Sequence, residues 1–400
     1  MPNDLKHSEG TSATRREFIA STATLLACAA MAGCGADKRQ PEEKRQAGEK
    51  PPAEKPPGGQ KLPASGAKPR PTTAQPDKLA TRSSPTGKFV WKTIASGKES
   101  PGARSRHELA YDANDKSLLL FGGADWSAFG GRLMGDTWAY RDGKWLPVHS
   151  DPSPDARHRG AMVYDPVRGC SVLFGGQARH GLGYSMLGDT WTFAAGQWKR
   201  LSLAAGSWPS PRCGHSMAFD EKAGLTVLFG GIAPKDISLA DTWTFDGSAW
   251  THVSGDAPTP RRYAAFAYDP DLEGCVLQGG SADDRGAQTY GETWLFRENQ
   301  WQYLGKTMDA TPCDDQALAY HRAAEKLVMC GGLRLPQALL LRSPGGWKRG
   351  AAEAMPPQHQ CSPMVWSEAL NGLVMHGGEI RQGGKQFDAT WLLEFVSEKS

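Results

Sequence analysis

The chain reads as an all-β protein built from stacked repeats, on three observations. Glycine pairs stand at Gly122-Gly123, Gly175-Gly176, Gly230-Gly231, Gly279-Gly280, Gly331-Gly332 and Gly377-Gly378. Their spacing of about fifty residues is that of supersecondary units that bury their apolar faces only against one another. Tryptophans recur in step with the glycines, an inner set at Trp138, Trp191, Trp243, Trp294 and Trp391 and an outer set at Trp145, Trp198, Trp250, Trp301 and Trp347. Between these markers lie short runs rich in Val, Leu, Phe, Tyr and Trp, separated by Asp, Gly, Asn and Pro, which is the chemistry of strands and tight turns.

Each unit resolves into four strands, which in the first copy are "HELAYD", "SLLLFGG", "DTWAYR" and "KWLPVH". Four-stranded units at this period make β-propeller blades. The double glycine with its downstream aromatics resembles the kelch repeat over residues 88–398. The last unit runs through "SPMVW", "GLVMHGG" and "ATWLLEF" and then lacks an outer strand, while "FVWKTIA" near the start supplies one, with Trp91 in the outer position. The expected fold is therefore an all-β, six-bladed kelch β-propeller with four-stranded blades. It is closed by an N-terminal strand, residues 88–96, added to the last blade beside 390–396 so that the joint has no free edge.

Two segments precede the repeats. Thr14-Arg15-Arg16-Glu17-Phe18-Ile19 resembles a twin-arginine export signal, and the apolar run that follows ends in Met31-Ala32-Gly33-Cys34, similar to the lipobox of bacterial lipoproteins. The resemblance implies a signal peptide over 1–34 and lipidation of Cys34, hence a membrane-anchored lipoprotein on the extracytoplasmic side of the bacterial envelope, periplasmic or at the outer membrane. Residues 35–87, rich in Pro, Lys and Glu, lack the apolar side chains needed to offset ordering and are expected to be a disordered tether. The propeller then occupies 88–400.

Charge narrows the partners. Residues 1–86 hold 14 Lys/Arg against 9 Asp/Glu, which leaves the repeats slightly acidic, so no nucleic-acid partner is expected. The turns inside each unit, such as "DAND" and "RDGK", are short, whereas the loops after the glycine pairs are long and varied, and recognition is expected on that long-loop face. Arg104, Arg157, Arg212 and Arg261 stand eight residues before each Tyr-Asp or Phe-Asp turn, with Cys313 and His359 at that place in units five and six. They suit carboxylate, sulfate or phosphate ligands around the central opening, or carboxylates of the protein itself. With Trp366 in the place of the turn Tyr in unit six, Trp126 and Trp208 are the tryptophans outside the repeat pattern; with Arg132, Tyr184, Asp284, Tyr290 and His359 they complete the candidate binding set.

No C-x-x-C pair supports zinc, and neither the Tyr/His copper site of the kelch-type copper radical oxidases nor the iron spacing of kelch specifier proteins is present. Cys313 and Cys361 could pair as a disulfide, and the recurrence of His107 and His215 points to packing. No catalytic residue, metal or cofactor is assigned. The expectation is a monomeric binding module for an envelope protein or glycan, attached to the membrane through Cys34. The alternative is a carbohydrate-active enzyme, a kelch-type sugar epimerase or oxidase acting near the channel mouth.

Overall fold

A computed structural model describes residues 85–127, 131–181, 183–202, 208–283, 288–306, 315–332, 338–357, 359–380 and 384–398. The chain divides into two units, Met1–Ala67 and Lys68–Ser400, and every described residue lies in the second. Cys34, Cys313 and Asp284 therefore fall outside the described residues.

The described part is all-β, with two 3-10 turns and no α-helix among the described residues. Its main sheets are antiparallel meanders. The first runs Glu108–Asp112, Ser117–Phe121, Thr137–Arg141 and Lys144–Val148. The same order recurs in the sheets that begin at Ala161–Asp165, Ser216–Asp220, Ala265–Asp269 and Gln316–His321. The last consists of Met364–Ser367, Gly372–His376 and Thr390–Ser397, with Gly87–Ala95 antiparallel to Thr390–Ser397 and Trp91 opposite Leu393. That sheet has five strands where four were expected, because Ala352–Glu353 adds in parallel to Phe89 and Val90 and covers the outer edge.

Both faces of each sheet are covered, which is why the strands read as apolar runs rather than strict alternations. Leu118 to Phe121 are at most 1% exposed. One face contributes Leu118 and Leu120 to a layer shared with Val374 and Leu392 of the last sheet. The other sends Leu119 and Phe121 against Met162 and Leu173 of the second. At roughly 1.5–3 kcal/mol for each fully buried large side chain, these layers are the main source of cohesion between sheets.

Polar latches add direction to that packing. The indole N–H of five outer tryptophans donates to a threonine of the preceding sheet: Trp198 to Thr137 at 2.9 Å, Trp250 to Thr190 at 3.0 Å, Trp301 to Thr242 at 2.8 Å, Trp347 to Thr293 at 3.1 Å and Trp145 to Thr390 at 2.8 Å. In the fifth sheet Leu339 occupies the threonine place, and the Trp91 indole N–H has no hydrogen-bond partner. Asp136-Thr137-Trp138 recurs as a triplet at 189–191 and 241–243, and unit five, with Ala338-Leu339-Leu340 in that place, thus lacks one latch.

The glycine pairs also work between sheets. The second glycine of a pair, at φ values of 88° to 103° among the described pairs, donates its N–H to the arginine carbonyl of the next unit, as in Gly123 to Arg157 at 2.8 Å and Gly176 to Arg212 at 2.9 Å. A Cβ on Gly122 would lie 2.7 Å from the Arg157 carbonyl oxygen, so only glycine admits this approach. The inner strands of all six main sheets line a channel of about 430 Å³. They are edge strands, so the backbone groups left over from the ladders make its wall polar enough to hold water.

Candidate functional site

The repeated arginines are buried within their own sheets. Arg157 is fully buried; its guanidinium donates to both Asp189 carboxylate oxygens at 2.7 and 3.0 Å and to the carbonyls of Gly175 and Asp155, each at 3.0 Å. Arg104 pairs in the same way with Asp136, Arg212 with Asp241, and Arg261 with Glu292. The indole of the inner tryptophan donates to the same carboxylate, as from Trp191 to Asp189 at 2.7 Å. Burial acts to raise the Asp189 carboxyl, but the hydrogen bonds and charge of Arg157 outweigh it and hold the group below the usual carboxylate range; Asp136 and Asp241 behave alike. Of the two readings of these arginines, a ligand at the opening or a carboxylate of the protein itself, the second is what the four side chains show, each joining two segments of its own sheet.

Other expected residues separate into two groups. His359 is buried, accepts no guanidinium role, and lies stacked on Trp391 at 5.9 Å with Nδ1 2.9 Å from the Pro357 carbonyl. Tyr290 lies under the Arg261 guanidinium, 4.2 Å from its carbon. Arg132 is exposed, on a two-residue strand opposite Asp125, and Trp208 is 47% exposed with no neighbouring site residue described. Trp126 and Tyr184, by contrast, join one strip. The Arg106 guanidinium lies 5.1 Å over the Trp126 ring, Trp126 meets His158 edge-on at 5.6 Å, and His158 meets Tyr184 at 5.9 Å.

That strip leads to a feature the repeat pattern concealed. Two residues after each arginine position stand Arg106, Arg159, Gly214, Tyr263, Asp315 and Cys361, all at φ between 57° and 60°. Each donates its N–H to the carbonyl of its equivalent in the preceding unit, at 2.8 to 3.2 Å, and the six hydrogen bonds return to the residue from which they start. Five of the six are not glycine, and the left-handed conformation costs roughly 1–2 kcal/mol for each such residue, a cost the hydrogen-bonded cycle sustains. Backbone strain held in this way gathers at functional sites.

The side chains of this ring surround a cavity of about 180 Å³ at the mouth of the channel, with His107, Gly160 and Gln316 shared between cavity and channel. Arg106 is paired with Glu379 at 2.8 Å, and the other oxygen of that fully buried carboxylate accepts from Ser105 at 2.7 Å. The Cys361 thiol sits 3.8 Å from Glu379; burial and the charge of Asp315 push it well above the usual thiol range, so it is protonated. Arg159 is half-buried, makes no ion pair among the described residues, and lies 4.8 Å over the Tyr263 ring. Gly214 stands between them, and a Cβ there would be 2.5 Å from the Tyr263 ring edge. Burial, then the charges of Arg159 and Arg106, lower His158 to about 3, leaving a neutral imidazole whose Nε2 is 3.0 Å from Gln177 Oε1. Among the described residues no three His, Cys, Asp or Glu side chains gather as a metal site.

This arrangement of sheets, double glycines and paired tryptophans has known counterparts. Residues 138–332 match the KLHDC2/KLHL20/DRC7 Kelch-repeats domain. The solved structure of YjhT has the same kelch propeller fold, with a TM-score of 0.57 over 76% of this chain and 99% of that one at 15% identity. Among curated proteins, the kelch-like region is similar to tRNA wybutosine-synthesizing protein 4 of Emericella nidulans, 27% identical over 220 residues that cover 48% of this chain and 20% of that protein. It is also similar to Mei4-dependent protein 6 of Schizosaccharomyces pombe, 23% identical over 205 residues that cover 46% of this chain and 29% of that protein. The chain spans less than a third of the length of either relative.

Sequence reasoning missed Arg106, Arg159, Tyr263, Asp315 and Cys361. A signal for them exists. At a place where the backbone repeats, the residue types change from unit to unit, which packing alone does not require. A second signal assigns the buried arginines. Units with a carboxylate at the triplet carry Arg, whereas the units with Ala338 and Ala389 there carry Cys313 and His359.

Proposed function

We propose that the chain is a binding module that seats an acidic group of an envelope protein or glycan at the channel mouth, on a six-bladed kelch propeller whose ring is completed by Gly87–Ala95. One observation carries this reading. At a single repeated position the chain presents two arginines, a tyrosine, an aspartate and a cysteine around one small cavity, and one of those arginines, Arg159, lies over the Tyr263 ring with no ion pair within 4 Å among the described residues, the charge of Asp315 acting on it from the same cavity. A guanidinium stacked on a ring keeps its in-plane donors open to an oxyanion. Glu379 is locked by Arg106 and Ser105, and Cys361 is a protonated thiol, which favours binding over turnover.

Placement at the envelope is part of the same proposal and rests on the Arg15-Arg16 and Met31–Cys34 motifs. Acyl chains on Cys34 would supply membrane affinity at about 0.8 kcal/mol per buried methylene, and the following tether would let the propeller reach its partner. The site is tested with a Glu-rich peptide and with polygalacturonate, each against a neutral counterpart. Both acidic probes should bind, and Arg159→Ala should weaken them at least tenfold with an unchanged unfolding midpoint. Equal binding by wild type and Arg159→Ala would refute the site. Cys34→Ala should move the protein out of the membrane fraction; continued membrane association would remove the lipid anchor from the proposal.

A further inference from the structure

Three side chains that touch one another in the strip share one defect. Arg106 Nε, Trp126 Nε1 and His158 Nδ1 are all buried without a hydrogen-bond partner, and these residues touch in the order Arg106, Trp126, His158. His158 is 2% exposed. Its Nε2 lies 3.0 Å from the side-chain amide oxygen of Gln177; with that oxygen as the acceptor, Nε2 carries the proton and Nδ1 presents a bare lone pair. The cluster therefore offers two N–H donors and one acceptor. Tyr184, 43% exposed, adds a partly open aromatic face at its outer end. A buried polar group without a partner costs about 1–3 kcal/mol, so three in contact mark a place where a bound group is expected to supply the missing bonds.

Counting donors and acceptors selects the kind of group. An oxyanion could take the two N–H groups but would face the His158 lone pair. An apolar group would leave all three atoms unpaired. A hydroxyl both donates and accepts, and neighbouring hydroxyls on one ring can satisfy two donors and an acceptor while the ring's C–H face lies on an aromatic plate. We infer that the Arg106–Trp126–His158–Tyr184 strip is a subsite for a neutral, polyhydroxylated sugar ring, adjoining the acidic-group site at the mouth. This deepens the binding reading above and rests on it: the preferred ligand is a glycan in which a neutral residue neighbours an acidic one.

The test uses the full chain labelled with nitrogen-15 and follows the indole N–H signal of Trp126, identified by its loss in Trp126→Phe. Methyl glucoside and methyl galactoside are the neutral probes, with acetate and sulfate as anionic controls. At least one sugar should shift this signal with saturation in the millimolar range, and His158→Phe should abolish or weaken that shift at least fivefold. Should His158→Phe fail to fold, the loss of sugar binding in Trp126→Phe, measured calorimetrically at an unchanged unfolding midpoint, decides alone. The inference is overturned if neither sugar moves the signal, if sugar binding is the same in both variants, or if the anions move the signal and the sugars do not. If the sugars fail while Arg159-dependent capture of acidic probes persists, only this subsite falls. Loss of both would remove the binding reading as well.

Discussion

Replacing Arg157 with methionine keeps most of the side-chain volume and removes its charge and five donors. The Asp189 carboxylate, 11% exposed, then loses both of its guanidinium bonds, and the Gly175 and Asp155 carbonyls lose theirs. Breaking one side of a buried ion pair costs about 3–5 kcal/mol. The slight exposure of Asp189 lets water solvate part of the orphaned charge, which favours the lower half of that range, while the two carbonyls act in the other direction; a net loss of about 4 kcal/mol follows. In urea, with m near 3 kcal/mol per molar, the midpoint should fall by about 1 M at constant m. Asp189→Asn should be similarly damaging, because it leaves a buried guanidinium, whereas Arg157→Met combined with Asp189→Leu should recover much of the loss. The acidic probes should bind the folded variants as they bind wild type. A stability change below about 1 kcal/mol, or lost binding at unchanged stability, would show that Arg157 serves a ligand and that the clip is incidental.

The remaining expectations concern other joints. Burial raises the Glu108 carboxyl to about 8, so the unfolded chain releases this proton at lower pH than the folded one, and stability should fall as pH rises from about 4.5 to about 8; Glu108→Gln should remove that slope in unfolding midpoints measured across the range. Asp136, Asp189 and Asp241 have the opposite sign: their lowered folded values make their stabilisation present above the ordinary carboxylate range near 4 and lost as pH falls below it. Gly214→Ala should displace Tyr263 and weaken acidic-probe binding more than it lowers the melting temperature, since five side chains already tolerate that φ; normal binding would exclude the close approach. Thr242→Val should cost about 1 kcal/mol, the low end for an orphaned donor, because the Trp301 side chain that loses its acceptor is half-buried, read from urea unfolding. Deleting 87–95 should expose the Thr390–Ser397 edge and produce aggregation on heating, and a cooperative unfolding transition unchanged from wild type would refute a closing role for that strand.

Much of the architecture is legible in one dimension because each local choice serves a neighbour of the same kind. The glycine pairs, the Asp-Thr-Trp triplets and the outer tryptophans recur since every sheet faces an equivalent sheet, and a contact repeated several times leaves a periodic trace. The complementary filling of the inter-sheet spaces is also partly readable. His215 packs against Phe174 in the second sheet, whereas between the first and second sheets Gly160 has no side chain and Glu108 occupies the space, bonded to the Gly160 N–H at 2.7 Å. The arginines were harder. Their position before the turn was plain, but the opening they were expected to line and the carboxylate they pair with are both close to the same strands, and spacing does not say which way a guanidinium turns.

By itself the sequence determined the all-β class, the repeat period, the strand boundaries to within a residue or two, and the pairing of a segment near 88–96 with the final unit. These follow from local periodicity and from contacts that recur. Only the tertiary structure decided that Arg104, Arg157, Arg212 and Arg261 are internal clips, that Trp126 belongs with Arg106 and His158, and that the mouth is formed by Arg106, Arg159, Gly214, Tyr263, Asp315 and Cys361. The reason is geometric: each unit contributes one residue to the ring, about fifty positions from the next, and their convergence exists only once the N–H of each reaches the carbonyl of the unit before it.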